Sequence, residues 1–372
     1  MSLSSKIRLA VKHPKAAYNF FIKNYLKRDS YYLFDFPTQI TFFLTERCNL
    51  KCSMCHVKDS REEFLKKSKS EELDINLLKK VFEECKKFSP SIQLVGGEPL
   101  LYPKFLDLLK MAKENGLIAS ITTNGVLLEK FAKEIVDSGL EFLAVSVDSS
   151  EPSVHDKIRG VGGTFDKTAK GLRSLLNYRG KSLCPRVNVR TVISRENINA
   201  FDDVLKTAEN LGADEWSVSQ FFFYPKWVKE ACEAFAEKNN TGKDVWGMPI
   251  EQGAYFTQSQ IEQLREKLDN LKKTIKKSKI KVLIQEIKDL NSYYSGRMPT
   301  SKSFCNSPFW QIFIRQNGDI ELCQGYIIGN IKETSIKKAW NSDKAEHFRT
   351  IIKKNKITPG CFRCCAMNKF EF

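Results

Sequence analysis

Hydrophobic and polar positions alternate in blocks along residues 40–222, and the period of the pattern switches from block to block. ITFFLT (40–45) is a β-branched and aromatic run that reads as a buried strand. DINLLKKVFEECKKF (74–88) follows with Ile75, Leu78 and Phe82 on one helical face. SIQLV (91–95) is the next strand, and the helix after it, FLDLLKMAKENG (105–116), stops at a glycine. The rhythm repeats with strands at 118–124, 142–148, 187–193 and 215–222 and helices at 127–139, 165–178 and 200–212. Short apolar runs alternating with amphipathic helices predict parallel βαβ units. Six such units fit a curved α/β architecture, a partial (β/α)6 barrel, better than a flat nucleotide-binding sheet. In such barrels the chemistry collects at the C-terminal ends of the strands.

The rhythm breaks at 223–260, a stretch rich in aromatic and turn residues. A charged helix is expected at about 257–278 with Ile261, Leu264, Leu268, Leu271 and Ile275 as its apolar stripe, then a strand at 281–285. From residue 305, WQIFIRQNGDIELC predicts a β-hairpin turning at Asn317-Gly318, followed by two short helices. The expected organisation is therefore a basic N-terminal helical segment (1–38), the barrel (39–223), a connector (224–300) and a small C-terminal α+β domain (301–372).

Composition narrows the picture. With 372 residues, 42% apolar and 28% charged, the chain can bury a sizeable core. No N-terminal run is long enough for a signal peptide and no stretch approaches a membrane span, which points to the cytoplasm. Eleven cysteines in a reducing compartment are expected as metal ligands or catalytic groups rather than disulfides. The net charge of +16 implies an acidic partner. Residues 1–28 hold seven Lys and Arg and no acid, with Ala16, Ala17, Phe20, Phe21 and Tyr25 able to line one helical face. That pattern allows a helix lying on an anionic membrane surface, or one capping the domain with its basic side in water.

The candidate chemistry begins three residues after the first strand. Cys48, Cys52 and Cys55 have the spacing C-x3-C-x2-C. Thiolates at this density suit an iron–sulfur cluster or zinc. Zinc would want a fourth ligand, and His56 is poorly placed to reach a metal already held by its neighbour Cys55. Three ligands on a four-iron cluster leave one iron open. Further motifs end the next strands in turn: GGEP (Gly96, Gly97, Glu98, Pro99), TTNG with Asn124, and SVD with Ser146 and Asp148. Then comes His155-Asp156-x-x-Arg159-Gly160. A second set, Cys305, Cys323, Cys361 and Cys364, is spaced C-x17-C-x37-C-x2-C, and either a four-iron cluster or zinc would satisfy it. Cys365 is an alternative to Cys364, and Cys85, Cys184 and Cys232 read as isolated core or surface thiols.

In order and spacing, these residues resemble the radical S-adenosylmethionine (SAM) superfamily. The C-terminal set resembles its SPASM or shortened twitch auxiliary-cluster domain. The resemblance implies that Cys48, Cys52 and Cys55 hold a 4Fe–4S cluster whose open iron is chelated by SAM. It places Met54, where the family usually has an aromatic residue, against adenine. It places GGEP at the SAM amino group, Asn124 at the barrel mouth, Ser146 and Asp148 near SAM, and Arg159 on its carboxylate. The family's usual glycine after the aspartate is Ser149 here. Full SPASM domains carry more cysteines and two clusters, so one auxiliary 4Fe–4S cluster is expected. The implied reaction is reductive cleavage of SAM to a 5′-deoxyadenosyl radical and abstraction of a substrate hydrogen, for net oxidation or C–H functionalisation of a peptide or a sugar or cyclitol. A flavodoxin- or ferredoxin-type protein would donate the electron. A nucleic-acid or lipid-linked substrate is an alternative, as is a different class altogether, a basic zinc protein that binds nucleic acid with strong salt dependence. About 38 residues precede the first strand, fewer than the peptide-binding module of many peptide maturases needs.

Overall fold

The computed structural model describes residues 31–55, 72–241, 255–285, 287, 289–295, 304–323, 325–364 and 370–371, together with Val11, Pro14, Ala17 and Tyr18. The basic helix expected within 1–28, with its membrane contact, lies outside these residues but for those four positions, as do His56 and Cys365.

Seven parallel strands follow one another in chain order: β1 (Gln39–Phe43), β2 (Ser91–Val95), β3 (Ile118–Thr123), β4 (Phe142–Ser146), β5 (Arg186–Ile193), β6 (Glu215–Gln220) and β7 (Lys281–Gln285). The helices between them are α1 (Ile75–Phe88), α2 (Phe105–Glu114), α3 (Leu128–Asp137), α4 (Pro152–Arg159), α5 (Thr164–Arg179) and α6 (Val204–Asn210), all but α4 where the 3.6-residue pattern put them. Helix α1 shows the local logic. The Asp74 carboxylate accepts the amides of Asn76 and Leu77, a cap that contributes about 1 kcal/mol. Leu78, Val81, Phe82 and Cys85 then turn inward against the sheet, and the helix stops at Ser89 in a left-handed conformation. The core they join includes Ile40, Phe42, Leu94, Ile121, Leu143, Val189, Trp216 and Val218, all buried.

Three elements differ from expectation. The strand at 281–285, expected in a connector, pairs parallel with β6 from Glu215↔Lys281 to Val218↔Ile284 and extends the barrel sheet by one strand. Helix α4 precedes α5 within one crossover. Helix α7 (Lys226–Asn239) occupies the first half of the segment expected to be irregular. Its sequence, KWVKEACEAFAEKN, is rich in Ala, Glu and Lys, and Pro225 sits at its N-cap, so strong local propensity outweighs the aromatic flanks. Helices α8 (Gln258–Thr274), with a Thr257–Gln260 capping box, and α9 (Leu290–Ser295) flank β7.

The C-terminal residues join the same sheet from its other side. Strand β8 (Gln311–Ile314) pairs parallel with β1, from Gln39↔Gln311 to Phe42↔Ile314. β9 (Asp319–Cys323) returns antiparallel through the Asn317-Gly318 turn, and β10 (Tyr326–Asn330) follows. Helices α10 (Ile336–Trp340) and α11 (Asp343–Asn355), a 3-10 turn (Pro359–Arg363) and β11 (Phe370–Glu371) complete an eleven-stranded sheet ordered β10-β9-β8-β1-β2-β3-β4-β5-β6-β7-β11. Among the described residues no helix is long and apolar enough to cross a membrane.

Candidate functional site

The loop carrying Cys48, Cys52 and Cys55 leaves the C-terminal end of β1 and is held from behind by backbone. On one side lies the exit of β2. Gly97 N–H donates to the Thr45 carbonyl at 2.7 Å and Glu98 N–H to the Arg47 carbonyl at 2.8 Å. A Cβ at Gly97 would sit 2.3 Å from the Arg47 oxygen, and Gly96 takes φ +142° with an ideal Cβ 2.5 Å from the Thr45 oxygen. The two glycines of GGEP thus let one backbone lie directly on the cysteine loop; the close approach they permit is to protein as well as to any ligand. On the other side is the end of α4. Lys51 N–H donates to the Arg159 carbonyl at 3.1 Å and Ser53 N–H to the Ile158 carbonyl at 2.8 Å. Gly160, at φ +72°, would place a Cβ 2.3 Å from the Lys51 oxygen.

Side chains from the end of β3 and the end of α4 face the sulfurs. Asn124 Nδ2 lies 3.8 Å from Cys48 Sγ and donates to Asn49 Oδ1 at 2.8 Å. Arg159 Nη1 lies 3.8 Å from Cys52 Sγ, and its Nη2 contacts Asp148 Oδ2 at 2.6 Å. All three cysteines are half-buried, as is Met54 between Cys52 and Cys55. Burial pushes the Cys52 thiol up, and the nearby Arg159 charge pulls it back down. Burial works against the Arg159 charge, but Asp148 and then Cys52 hold its pKa above the usual range. Ser146 ends β4 half-buried, in register with Arg190.

Two of the expected SAM-contacting residues are engaged by protein. Glu98 is buried and accepts from Thr123 Oγ1 at 2.7 Å, Asn124 N–H at 2.8 Å and Leu100 N–H at 3.1 Å. Burial raises its pKa, and those donors oppose the rise. Glu98 thereby ties GGEP to TTNG and fixes Asn124; Pro99 opens the 3-10 turn behind it. Asp148 is fully buried, with Oδ1 accepting from Val192 N–H at 3.0 Å. Arg159 keeps one buried group, Nε, with no hydrogen-bond partner.

Further residues complete this shell. His155 Nδ1 accepts the Asp148 amide at 3.1 Å, and burial lowers the ring's pKa to about 4, so it is neutral at pH 7. Asn197 Nδ2 donates to the Asp148 carbonyl at 2.7 Å. The His-Asp-x-x-Arg-Gly string carried a signal for His155; nothing in sequence marked Asn197, which reaches the site only through strand register. Ser149, where the family has glycine, does not take a left-handed conformation, and its hydroxyl accepts the Glu151 amide at 3.0 Å.

The second thiol set comes together from distant chain. Cys305 and Cys361 are buried and share a sulfur–sulfur hydrogen bond, which raises the pKa of Cys305 and lowers that of Cys361. The Thr358 amide also lies 3.3 Å from Cys361 Sγ. The charge of Cys323, at the end of β9, is felt at Cys305. Cys364 closes the 3-10 turn, its amide donating to the Cys361 carbonyl at 3.1 Å. Tyr224, buried just before α7, donates to the Gly360 carbonyl at 2.9 Å; burial first, then the charges of Cys364, Cys323, Cys361 and Cys232, hold its phenol far above its usual range. Cys232 is therefore not isolated, and its place beside Cys361 was invisible without α7. Cys85 is core, as expected, and Cys184 donates to buried Glu141 at 2.9 Å.

Both sets fit iron–sulfur clusters by donor chemistry. The first offers three accessible thiols beside a guanidinium and an amide donor, with an orphaned buried Nε nearby. The second supplies four thiols, two of them bonded to each other and one of these with a depressed pKa. Among the described residues no three Cys, His, Asp or Glu side chains converge closely enough to hold one metal ion.

Comparison with known proteins defines the class. Residues 42–208 match the radical SAM superfamily, and residues 305–365 match the SPASM iron–sulfur cluster-binding domain. Together the two matches span more than half of the chain, which belongs to the radical SAM superfamily and carries a SPASM-type domain. It is an enzyme family whose domains imply 4Fe–4S clusters and bound SAM. The chain is 24% identical over 338 residues to the tungsten-containing aldehyde ferredoxin oxidoreductase cofactor-modifying protein of Pyrococcus furiosus, covering 88% of this chain and 87% of that one. It is 24% identical over 339 residues to the AdoMet-dependent heme synthase of Oleidesulfovibrio alaskensis, covering 87% and 79%. Among solved structures, Streptococcus suis SuiB bound to precursor peptide SuiA superposes with a TM-score of 0.61 at 16% identity, covering 91% of this chain and 70% of that one.

Proposed function

We propose that Cys48, Cys52 and Cys55 hold the SAM-binding cluster, that Cys305, Cys323, Cys361 and Cys364 hold one auxiliary 4Fe–4S cluster, and that the enzyme carries out a net oxidation at a C–H position of a peptide. The observation that carries this reading is a single sheet with both thiol sets on it, one on the loop after β1 and the other partly on β9, two strands away. When bound, the first cluster and SAM together supply a radical able to remove a hydrogen atom from carbon. The chain's own residues do the rest. Backbone contacts from Gly97, Glu98 and Arg159 hold the cysteine loop from behind at the strand ends. Asp148 holds Arg159 over Cys52 while leaving Nε for an acceptor on SAM, a task suited to a guanidinium. Met54 lies half-buried in the cysteine loop and Ser146 half-buried at the end of β4, and Glu98 orients Asn124.

The peptide reading draws support from the fold shared with SuiB, named as bound to a precursor peptide, and from the chain's net charge of +16, which suits an acidic peptide. A second reading has its own observation: near full-length similarity to proteins named as a heme synthase and a cofactor-modifying protein. On that reading the substrate is a tetrapyrrole or an organic metal ligand. Anaerobic protein incubated with SAM and dithionite should release 5′-deoxyadenosine. The release should rise with an acidic peptide panel and stay flat with iron coproporphyrin. The opposite pattern selects the second reading. Protein that binds no iron and leaves SAM intact would overturn both.

A further inference from the structure

The parallel strands differ sharply between their two faces. Phe42 of β1, Leu94 of β2, Leu143 of β4 and Val189 of β5 are all buried, and Phe82 of α1 packs on Phe42 with ring centroids 5.7 Å apart. That is the face the helices cover. The register sets Thr122 of β3, Ser146 of β4, Arg190 of β5, and Ser217 and Ser219 of β6 on the opposite face. Parallel strands covered on both sides are apolar throughout, and a filled barrel packs branched side chains inside. Here the inner face is polar. Within β1 to β7 a single residue is exposed, and it is Arg190, the fifth of the eight residues of β5. A charge exposed in the middle of an inner strand adds nothing to a core; it needs a space that solvent or a ligand can enter.

That space adjoins the first thiol set. Arg190 stands in register with Ser146, and its Nη1 donates to Thr122 Oγ1 at 3.4 Å, so the side chain reaches across β4 toward β3. Two residues further along β5, Val192 N–H donates to Asp148 Oδ1 at 3.0 Å, and Asp148 holds Arg159 beside Cys52. At about 3.3 Å per residue, Arg190 lies about 7 Å deeper along the strand than that anchor. The carboxylate one register step back, Glu215, is engaged by Arg186 Nε at 2.9 Å and Asn188 Nδ2 at 3.2 Å. Resting on the peptide reading above, we propose that Arg190 receives a substrate carboxylate inside the barrel and so selects which C–H position is presented to the SAM site. A planar guanidinium holds a carboxylate through two parallel hydrogen bonds, which fixes orientation as well as distance. The positions around it, Thr122, Ser146 and Ser217, carry hydroxyls, so one cation meets one anionic charge. A carboxylate matches that better than a phosphate dianion.

The test uses reconstituted full-length protein with SAM and dithionite, and reads the KM for stimulated 5′-deoxyadenosine release. The probes are an acidic peptide panel, the same peptides with Asn and Gln for Asp and Glu, their phosphoserine counterparts, iron coproporphyrin and its methyl ester. Acidic peptides should stimulate at a KM at least about tenfold below their amide forms. Arg190→Gln should raise the KM for the acidic form by about tenfold to a hundredfold and erase its advantage over the amide form. Arg190→Lys, which keeps the charge and loses the fork, should recover part of that advantage. Arg173→Gln, at an exposed site on α5, should leave KM unchanged, which separates a local contact from overall charge. Retention of about eight irons per chain shows that each variant folds. Stimulation by iron coproporphyrin instead of peptides, with the same loss in Arg190→Gln and none for the ester, upholds the carboxylate site and rejects the peptide reading. Equal KM for acidic and amide peptides, or unchanged discrimination in Arg190→Gln, overturns the proposal and leaves the peptide reading standing. A preference for phosphoserine peptides overturns the carboxylate assignment, and stimulation by none of the probes rejects both.

Discussion

The loop of Cys48, Cys52 and Cys55 and the group of Cys305, Cys323, Cys361 and Cys364 employ one kind of side chain in opposite surroundings. The first three lie within eight residues, half-buried, and the loop's order comes from backbone pressed against backbone. Its charge is balanced by a guanidinium that a buried carboxylate holds in place. The second four come from distant stretches, the segment before β8, β9 and the 3-10 turn with its cap; two are buried and bonded to each other. A site that admits a ligand needs rigidity supplied from behind. A site closed around its metal centre can be assembled from the sides.

The largest expected effect separates the two sites outright. Replacing Cys48, Cys52 and Cys55 with Ala should abolish 5′-deoxyadenosine release while bound iron falls from about eight to about four per chain. Replacing Cys305 and Cys361 should also remove about four irons, yet SAM cleavage with dithionite should persist. Loss of all iron from either variant would mean that the sites do not form independently, and the comparison would fail.

Next in size is the charge held at the first site. Asp148→Asn leaves Arg159 buried without its carboxylate. Breaking a buried pair from one side costs about 3–5 kcal/mol, read from urea unfolding of the metal-free protein. The amide keeps the shape of the carboxylate, so a cost under about 1 kcal/mol would show that Arg159 finds compensation elsewhere.

A smaller effect tests the backbone support. Gly97→Ala sets a methyl 2.3 Å from the Arg47 oxygen, and the neighbour is main chain that cannot swing away. A loss of about 1–3 kcal/mol and weaker iron retention at the first site are expected. Gly162→Ala is the control. Like Gly97 that residue has no left-handed φ, but nothing lies within 4 Å of the added carbon, so stability should change by less than about 0.5 kcal/mol and iron should be unchanged.

This contrast also marks what a sequence can reveal. The first site was legible because its residues are local strings at strand ends: C-x3-C-x2-C, GGEP, TTNG and SVD follow β1 to β4 in order. The barrel was legible for the same reason, since each strand and helix states its own period. Relations that depend on register or packing were not. Nothing local says that Asp148 occupies an edge of Arg159, that Asn197 holds the Asp148 carbonyl, or that the C-terminal β8 pairs with β1. The strand at 281–285 was visible as a strand but not as the seventh of the barrel, because pairing partners leave no mark on the pattern. Cys232 reads as isolated because its neighbours lie more than a hundred residues away in the chain.

The smallest effect sharpens the comparison at the closed site. Tyr224 is buried, and its hydroxyl reaches the Gly360 carbonyl at 2.9 Å, one residue before Cys361. Tyr224→Phe removes the donor and keeps the ring. A single neutral hydrogen bond contributes about 1 kcal/mol, so unfolding should shift by that amount and no more. Its consequence should be confined by geometry. The Gly360 turn belongs to the second thiol set, so the auxiliary spectrum should change while SAM cleavage at the first cluster stays at the wild-type rate. Equal disturbance of both clusters would mean that the phenol acts through the whole sheet. No change at the auxiliary site would mean that the turn is held by α7 alone.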